Sequence, residues 1–164
     1  MAFSAYNMRG QSTLEVGDKV PSFSLKDQYG KTFDLNDYIG KTPMVIYFYP
    51  KDDTPGCTKE ACSFRDSYEE FTDRSIEVIG ISADDVESHK NFADKYNLPF
   101  TLLSDTDNSV RKLFGVKSNM LGLIPGRVTY VINKAGEVIF IYDSQLKATK
   151  HIEEALKAID MSKQ

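Results

Sequence analysis

Apolar residues follow two different spacings along this chain. Three short runs of β-branched, aromatic and other apolar residues are typical of strands that are buried on both faces of a sheet. These strands are predicted at residues 44–49, 76–82 and 100–104. In the segments between them, apolar residues recur every three or four positions, which is the spacing of one face of a helix. The predicted helices cover residues 57–74, 84–96 and 107–114.

The two ends of the chain add alternating patterns. Residues 22–27 and 31–35 alternate apolar and polar positions around the turn "QYG", which predicts a hairpin of edge strands. Residues 127–132 and 137–142 flank the turn "NKAG" and predict a second antiparallel pair, which is followed by a helix over 149–159. This order predicts an α/β fold with a mixed central sheet and helices on both faces. With its amino-terminal β-hairpin, the arrangement resembles the thioredoxin-like fold.

Length and composition indicate one folded domain. A chain of 164 residues, 41% of them hydrophobic, can bury a core without disulfide support, and we assign the domain to residues 14–164. Residues 1–13 contain one arginine and no apolar run, so we expect a flexible leader rather than a secretory signal or a complete transit peptide. The predicted location is cytoplasmic, or the plastid lumen or stroma if a leader has been removed.

The charge of the chain excludes some partners. The formal net charge is -4 and the 20 basic residues are dispersed, so nucleic acid is not expected as a partner. The sequence has no apolar run of about 18 residues, so a membrane is not expected as a partner either. His89 and His151 are predicted on helix surfaces without metal-ligand spacing, and neither a metal nor a cofactor is expected. The prominent acidic residues are predicted as turn residues, namely Asp52 and Asp53, and as helix caps, namely Asp84 and Asp107.

The chain places its only two cysteines, Cys57 and Cys62, near the start of one predicted helix. Cys57 follows the buried strand 44–49 through the loop "PKDDTPG", at the carboxyl end of that strand, where the sites of open α/β sheets gather. The first N–H groups of a helix are unpaired and its dipole is positive there, which favours the thiolate form of a cysteine. This position predicts a nucleophilic cysteine.

Neighbouring residues support the same interpretation. Thr54 lies three positions before Cys57 and can turn its hydroxyl toward the sulfur or toward an oxygen bound beside it. Pro50 and Pro55 stiffen the loop and help to exclude water. Arg127 begins a strand that is predicted to run antiparallel to its neighbours. Its guanidinium should therefore emerge at the same edge of the sheet as Cys57 and stabilise the thiolate.

The spacing of the two cysteines restricts how they can react with each other. Residues five apart on a continuous helix have Cα atoms roughly 8.6 Å apart, whereas a disulfide requires less than about 7 Å. Cys57 and Cys62 can therefore bond only if the beginning of the helix unwinds. We predict a helix that is intact when the thiols are reduced and locally unwound when they are oxidised.

Several short motifs resemble the peroxiredoxins. The segment "PKDDTPGC" contains the pattern Pro-x3-Thr-x2-Cys at Pro50, Thr54 and Cys57. Together with "GCTKEAC" and "PGRVTYVI", it resembles the bacterioferritin comigratory protein or peroxiredoxin Q subgroup, and the likeness extends over residues 14–159. The resemblance implies an atypical two-cysteine thiol peroxidase that reduces hydrogen peroxide and organic hydroperoxides.

The resemblance also implies how the two cysteines act. Cys57 would be the peroxidatic cysteine, which attacks the O–O bond of the hydroperoxide and becomes a sulfenic acid. Cys62 would then condense with it to an intramolecular disulfide. A thioredoxin- or glutaredoxin-type donor would reduce this disulfide and complete the cycle.

Four other residues receive roles from the same resemblance. Thr54 and Arg127 would bind and polarise the peroxide oxygens, and Pro50 would shield the sulfur. Glu60 would orient the arginine, although Gln also occurs at that position in the family. Many dimeric relatives carry a Gly-Gly-Leu-Gly segment and a carboxyl-terminal tail with the resolving cysteine. Because this chain contains neither, a monomer is expected.

Two other functions are compatible with a close pair of cysteines. A general thiol–disulfide oxidoreductase shares the fold class, but such enzymes usually carry Cys-x-x-Cys, and the Cys-x4-Cys spacing with Thr54 argues against it. A redox-sensing or holdase-like binding protein could use the same disulfide switch to control its contacts with a partner. Donor-coupled consumption of peroxide that is lost in Cys57→Ser would distinguish the enzyme from the sensor.

Overall fold

The structure of the protein is a computed structural model that describes residues 13–119 and 124–162. The predicted leader, residues 1–13, lies outside these ranges except for its last residue. The strands in the described residues are β1 (Ser24–Asp27), β2 (Thr32–Asp34), β3 (Met44–Phe48), β4 (Glu77–Ser82), β5 (Thr101–Ser104), β6 (Ser118–Asn119), β7 (Ile124–Pro125), β8 (Val128–Ile132) and β9 (Val138–Asp143). The helices are α1 (Pro55–Asp66), α2 (Tyr68–Asp73), α3 (Val86–Tyr96), α4 (Ser109–Phe114) and α5 (Lys150–Ser162), with a turn of 3₁₀ helix at Leu35–Asp37.

One sheet contains seven of these strands, in the order β2-β1-β5-β4-β3-β8-β9. β4 pairs in parallel with β3 and with β5, whereas β8 is antiparallel to both β3 and β9. The predicted mixed sheet and amino-terminal hairpin are confirmed, with one correction. Only β2 of the hairpin is an edge strand, because β1 pairs with both β2 and β5. β6 and β7 form a small separate ladder between α4 and β8.

Apolar side chains pack on both faces of the large sheet. On one face, Tyr47 and Leu102 belong to a cluster that includes apolar residues of α1, α2, α3 and α5. On the other face, Ile46 and Phe48 cluster with apolar residues of the hairpin and of α4. The prediction of helices on both faces is thereby confirmed. No helix among the described residues is both long and apolar enough to cross a membrane.

β3, an interior strand of the sheet, determines where the candidate site lies. All five of its residues are buried, which agrees with its continuous apolar sequence "MVIYF". Pro50 follows soon after the strand and has no N–H group with which to extend the ladder. Phe48, the last residue of β3, faces Val128, the first residue of β8. The loop after β3 and the residue that enters β8 therefore lie at the same edge of the sheet.

The predicted helix over 57–74 is divided in the structure. α1 ends at Asp66, and Ser67 leaves the helical conformation with φ of -101° and ψ of 8° before α2 begins. α1 also begins earlier than predicted, at Pro55, with Thr54 as the N-cap residue. Cys57 is thus the third residue of the helix, and both cysteines lie on one uninterrupted segment.

Two predicted helix caps are wrong by one residue. Asp85, not Asp84, caps α3, and its side chain accepts a hydrogen bond from the third N–H group of the helix. Asn108, not Asp107, occupies the N-cap position of α4. The predicted end of this helix at residue 114 is confirmed, and the glycine that follows, Gly115, has the left-handed backbone conformation, with φ of 69°.

Candidate active site

Cys57 lies at the amino-terminal end of α1, just beyond the edge of the sheet. Pro55 occupies the first position of the helix, where its missing N–H group costs nothing. The side chain of Thr54, the N-cap residue, makes no capping hydrogen bond to the helix. Cys57 is 1% exposed, and both Cys57 and Cys62 are free thiols. A buried sulfur therefore lies at the positive end of a helix.

The guanidinium of Arg127 contacts Cys57 directly. Its Nη2 donates a hydrogen bond to Sγ of Cys57 over 3.4 Å, and its Nη1 donates to Oε1 of Glu60 over 2.7 Å. Its Nε donates to the carbonyl of Gln145 over 3.1 Å. Arg127 precedes β8 and is 4% exposed. Three contacts hold the planar group in one orientation, and a buried cation beside the sulfur favours the thiolate.

Glu60 connects Arg127 to a second buried group. It lies one turn after Cys57 on α1 and is 0% exposed. Burial raises the pKa of Glu60 to about 8, although the positive charge of Arg127 opposes this shift. Oε2 of Glu60 has no hydrogen-bond partner among the described residues. It lies 3.6 Å from Nδ1 of His151.

His151 is buried, so the prediction that it lies on a helix surface is wrong. It is 0% exposed on α5, and its Nε2 lies 2.8 Å from the carbonyl of Ser144, which requires a proton on Nε2. Burial lowers the pKa of His151 to about 4, and the charge of Arg127 acts in the same direction. The ring is therefore neutral, and Nδ1 accepts the hydroxyl hydrogen of Thr129 over 2.7 Å. Nδ1 has no proton to donate to Glu60.

Gly56 permits the close approach of Arg127 to the helix. A Cβ atom at this position would lie 3.0 Å from Nη2 of Arg127, so any larger residue would press on the guanidinium. This role is not apparent from the motifs around Cys57. A glycine within the first turn of a helix, where it weakens the helix relative to alanine, is the signal that could have indicated it.

The other predicted site residues surround this contact. The hydroxyl of Thr54 donates to the carbonyl of Lys51 over 2.9 Å, so its oxygen offers lone pairs and no hydrogen to other groups. Pro50 is half-buried at the start of the loop, and Cys62 is half-buried farther along α1. Direct contacts join three of the six predicted site residues, namely Cys57, Glu60 and Arg127.

Asp52 lies in a turn, as the sequence predicts, and its side chain also connects the loop between β3 and α1 to α3. It is 7% exposed, and its Oδ1 accepts the hydroxyl hydrogen of Tyr49 over 2.6 Å. Its Oδ2 accepts from the hydroxyl of Ser88 over 2.8 Å and lies 2.7 Å from Nδ1 of His89. His89 is also buried rather than on the surface, and its Nε2 donates to the carbonyl of Leu103 over 2.8 Å.

One group of described residues has the spacing that a metal ion would need. The ligand atoms of Asp52, Asp84 and His89 lie within 4.8 Å of one another. However, Asp84 accepts from the backbone N–H of Asp52 over 2.9 Å and from the hydroxyl of Ser82 over 2.6 Å. These polar groups satisfy one another, and the cluster accounts for the fixed position of the loop without an ion. Asp53, next in the loop, has the predicted turn conformation, with φ of 55°.

The burial of Glu60 has a consequence for the pH dependence of stability. Because the pKa of Glu60 is about 8 in the folded protein and 4.5 in its unperturbed form, the folded state binds this proton more tightly. Stability is therefore lost as the pH rises from 4.5 toward 8. The lowered pKa of His151 acts in the opposite sense, but only up to its unperturbed value of 6.5. Between pH 6.5 and 8 we expect Glu60 to cost roughly 2 kcal/mol of stability.

Urea unfolding of the reduced protein at these two pH values measures this effect. Glu60→Gln keeps an acceptor for Arg127 but cannot ionise, so it should lose less than half as much stability as the wild type over the same interval. Glu153→Gln, an exposed change on α5, serves as the matched control and should retain the wild-type dependence. An equal loss in Glu60→Gln and in the wild type would contradict the assignment.

Comparison with known proteins places this geometry in a family. The model of the AhpC/TSA family matches residues 16–141. A chloroplastic peroxiredoxin Q of Populus jackii is 57% identical over 146 residues, which are 89% of this chain and 68% of that protein. The crystal structure of peroxidoxin BcpB from Mycobacterium tuberculosis is 37% identical, with a TM-score of 0.83 over 90% of this chain and 97% of that one. A structure of the Xanthomonas campestris bacterioferritin comigratory protein is 31% identical, with a TM-score of 0.81 over 92% and 98% of the two chains.

These similarities confirm the family and the enzyme class that the sequence motifs predict. The matched residues include the segment around Cys57 and also Arg127. Membership implies a hydroperoxide substrate and a thiol reductant. The cytoplasmic location stays a prediction, and the poplar relative is described as chloroplastic. This chain belongs to the AhpC/TSA family and is a peroxiredoxin.

Proposed function

We propose that this peroxiredoxin reduces hydrogen peroxide and organic hydroperoxides by a cycle in which Cys57 and Cys62 form an intramolecular disulfide. The observation that carries the proposal is the contact between Nη2 of Arg127 and Sγ of Cys57 at 3.4 Å, inside a buried site at a helix terminus. A sulfur in this environment is suited to react as a thiolate. The Xanthomonas campestris relative, which is described in terms of alkyl peroxide reduction, supports the inclusion of organic substrates.

In the first step the thiolate of Cys57 attacks the terminal oxygen of the hydroperoxide. The S–O bond forms as the O–O bond breaks, the sulfur is oxidised to a sulfenic acid, and the leaving oxygen takes up a proton and departs as water or an alcohol. Arg127 would donate hydrogen bonds to the peroxide oxygens, where negative charge develops. Thr54 would accept the O–H hydrogen of the hydroperoxide, since its own hydrogen is given to Lys51. Pro50 would cover the sulfur.

In the second step the thiol of Cys62 attacks the sulfenic acid of Cys57, and water leaves as the disulfide forms. Both residues lie on α1, where an uninterrupted helix separates their Cα atoms by roughly 8.6 Å. A disulfide requires less than about 7 Å. We therefore infer that the first turns of α1 unwind before the disulfide forms.

A dithiol donor of the thioredoxin or glutaredoxin type would then reduce the disulfide by thiol–disulfide exchange. We propose that residues 14–164 act as one domain and as a monomer, because both redox cysteines belong to the same helix and no second subunit is needed to complete the cycle. The chloroplastic relative favours the plastid over the cytoplasm as the location. Detection of the protein in isolated plastids tests the location, and light scattering in both redox states tests the monomer.

Steady-state turnover tests the proposed function. With thioredoxin or glutaredoxin and the corresponding reductase, the protein should consume many equivalents of hydrogen peroxide and of an alkyl hydroperoxide per molecule. A redox sensor or holdase with the same cysteines would instead be oxidised once and would consume a stoichiometric amount. Measuring peroxide loss and donor oxidation in the same reaction distinguishes the two, and stoichiometric consumption with every donor would contradict the enzyme.

A further inference from the structure

A second buried arginine connects the two segments that carry the site. Arg111 lies on α4 and is 6% exposed. Its Nη2 donates to the carbonyl of Tyr49 over 3.0 Å, and its Nη1 donates to the carbonyl of Gly126 over 2.8 Å. These carbonyls belong to the residues directly before Pro50 and Arg127. One guanidinium thus bridges the start of the cysteine loop and the residue that enters β8.

The guanidinium of Arg111 is itself held in place. The carboxylate of Asp105 accepts the backbone N–H groups of Val110 over 3.0 Å and of Arg111 over 2.9 Å, which fixes the start of α4. The guanidinium carbon lies 5.5 Å from the ring centroid of Phe48, at the end of β3. The guanidinium is planar, donates from two nitrogens and packs against an aromatic ring, so it restricts the movement of the two carbonyls that accept from it.

The partners of Arg111 indicate that the bridge is more than a buried ion pair. Among the described residues, neither of its terminal nitrogens is paired with a carboxylate at salt-bridge distance, and the two hydrogen bonds from its side chain go to neutral carbonyls. Burying a cation against neutral groups is costly. Burial lowers the pKa of Arg111, while the negative charges of Asp105 and of ionised Tyr130 and Cys57 would act in the opposite direction. A simple apolar residue would fill the same space at lower cost.

We propose that Arg111 is a positioning residue, which sets the separation between Cys57 and Arg127 by bridging the carbonyls of Tyr49 and Gly126. The inference rests on the proposed role of the Arg127–Cys57 contact. That contact spans 3.4 Å between two atoms on different segments of the chain, so it depends on the relative position of those segments. Because a displacement of about 1 Å can reduce a rate by roughly a hundredfold, a residue that fixes both segments controls the reaction without touching the peroxide.

The test measures only the first chemical step. In a Cys62→Ser parent, the rate at which excess hydrogen peroxide converts Cys57 to a sulfenic acid is followed by trapping with dimedone and mass spectrometry. Adding Arg111→Met should reduce this rate about tenfold to a hundredfold. The matched control is Arg65→Met, because Arg65 on α1 also donates to a backbone carbonyl, that of Tyr96, over 2.7 Å. This control should remain within about threefold of the parent.

A double-mutant cycle identifies the route by which Arg111 acts. In an Arg127→Ala background there is no guanidinium left to position, so Arg111→Met should lower the remaining rate by less than about threefold. An equal loss in both backgrounds, or a rate in Arg111→Met that equals the parent or the Arg65→Met control, would overturn the proposal. If Arg111→Met does not fold, Arg111→Lys provides the same test, since an ammonium retains the charge but not the two-pronged bridge. A lysine variant with the parent rate would likewise overturn it.

The parent protein also separates this proposal from the proposed function. If Cys62→Ser does not form a sulfenic acid with peroxide while Arg111 is intact, the peroxidase mechanism is wrong. If the parent reacts and Arg111→Met reacts equally well, only the positioning role is wrong.

Discussion

Replacing Cys57 by serine is expected to abolish peroxide reduction, whereas replacing Cys62 by serine should leave one oxidation event per molecule. A serine hydroxyl at Cys57 cannot supply a thiolate to attack the O–O bond, so no product should form with any donor. Without Cys62 the first step remains but no intramolecular disulfide can follow, and Cys57 should stop as a sulfenic acid. Intact-mass measurement after one equivalent of peroxide distinguishes an added oxygen in Cys62→Ser from the loss of two hydrogens in the wild type.

The predicted results for Cys57→Ser and Cys62→Ser can each be contradicted by experiment. Thioredoxin-coupled turnover at the wild-type rate in Cys62→Ser would show that this cysteine only packs against its neighbours.

The proposed unwinding of α1 is tested on the same samples by amide hydrogen exchange. Oxidised wild type should exchange faster than reduced wild type along residues 57–62, while Cys62→Ser should show no such change. Equal protection in the two redox states of the wild type would contradict the unwinding of α1.

The fold could be predicted from the sequence because its strands and helices have strong local signals. The run "MVIYF" is buried along its whole length, as a strand between two packed faces requires. The division of the predicted helix 57–74 is not visible in the sequence because Ala61, Phe64 and Phe71 keep one apolar stripe on either side of Ser67. A break of one residue between two helices leaves no mark in a pattern of apolar spacing.

The sequence predicts some of the residues of the site but not all of their contacts. Cys57 and Thr54 are close in the chain, and the antiparallel register brings Arg127 to the same edge. His89 and His151 lie in the interior, although the sequence predicts them on helix surfaces, and their spacing indicates burial. His89 lies three residues before Phe92, and His151 four residues before Ala155, so each shares the apolar face of its helix. Polarity alone suggested the surface, but each side chain has hydrogen-bond partners in the interior.

The contacts across the site could not be read from the chain. Glu60 and Arg127 are 67 residues apart, and Arg111 reaches a carbonyl 62 residues away. Every residue has a backbone carbonyl, so the sequence does not indicate which carbonyl will accept a hydrogen bond from a buried arginine. Such pairings depend on how loops are placed by the whole sheet.

Removing the guanidinium of Arg127 is expected to have the second largest effect. Arg127→Ala should slow the oxidation of Cys57 by peroxide about a hundredfold to a thousandfold, which is the usual cost of losing a donor that stabilises charge in a transition state. Dimedone trapping of the sulfenic acid in a Cys62→Ser background measures this rate, and an unchanged rate in Arg127→Ala would show that Arg127 does not support the reaction.

The loss in Arg127→Ala has one competing cause, which a second variant removes. The substitution leaves Oε1 of Glu60, which accepts a hydrogen bond from Arg127 in the intact site, without its donor in a side chain that is 0% exposed. A buried polar group without a partner can destabilise a protein by roughly 1–3 kcal/mol, and ionisation of Glu60 at a pH well above 8 would add an unpaired buried charge. Arg127→Ala with Glu60→Gln cannot ionise at this position and should regain stability against urea at alkaline pH without regaining peroxide reactivity. Recovery of the peroxide rate in the double variant would show that the unpaired carboxyl group, and not the missing guanidinium, had slowed the reaction.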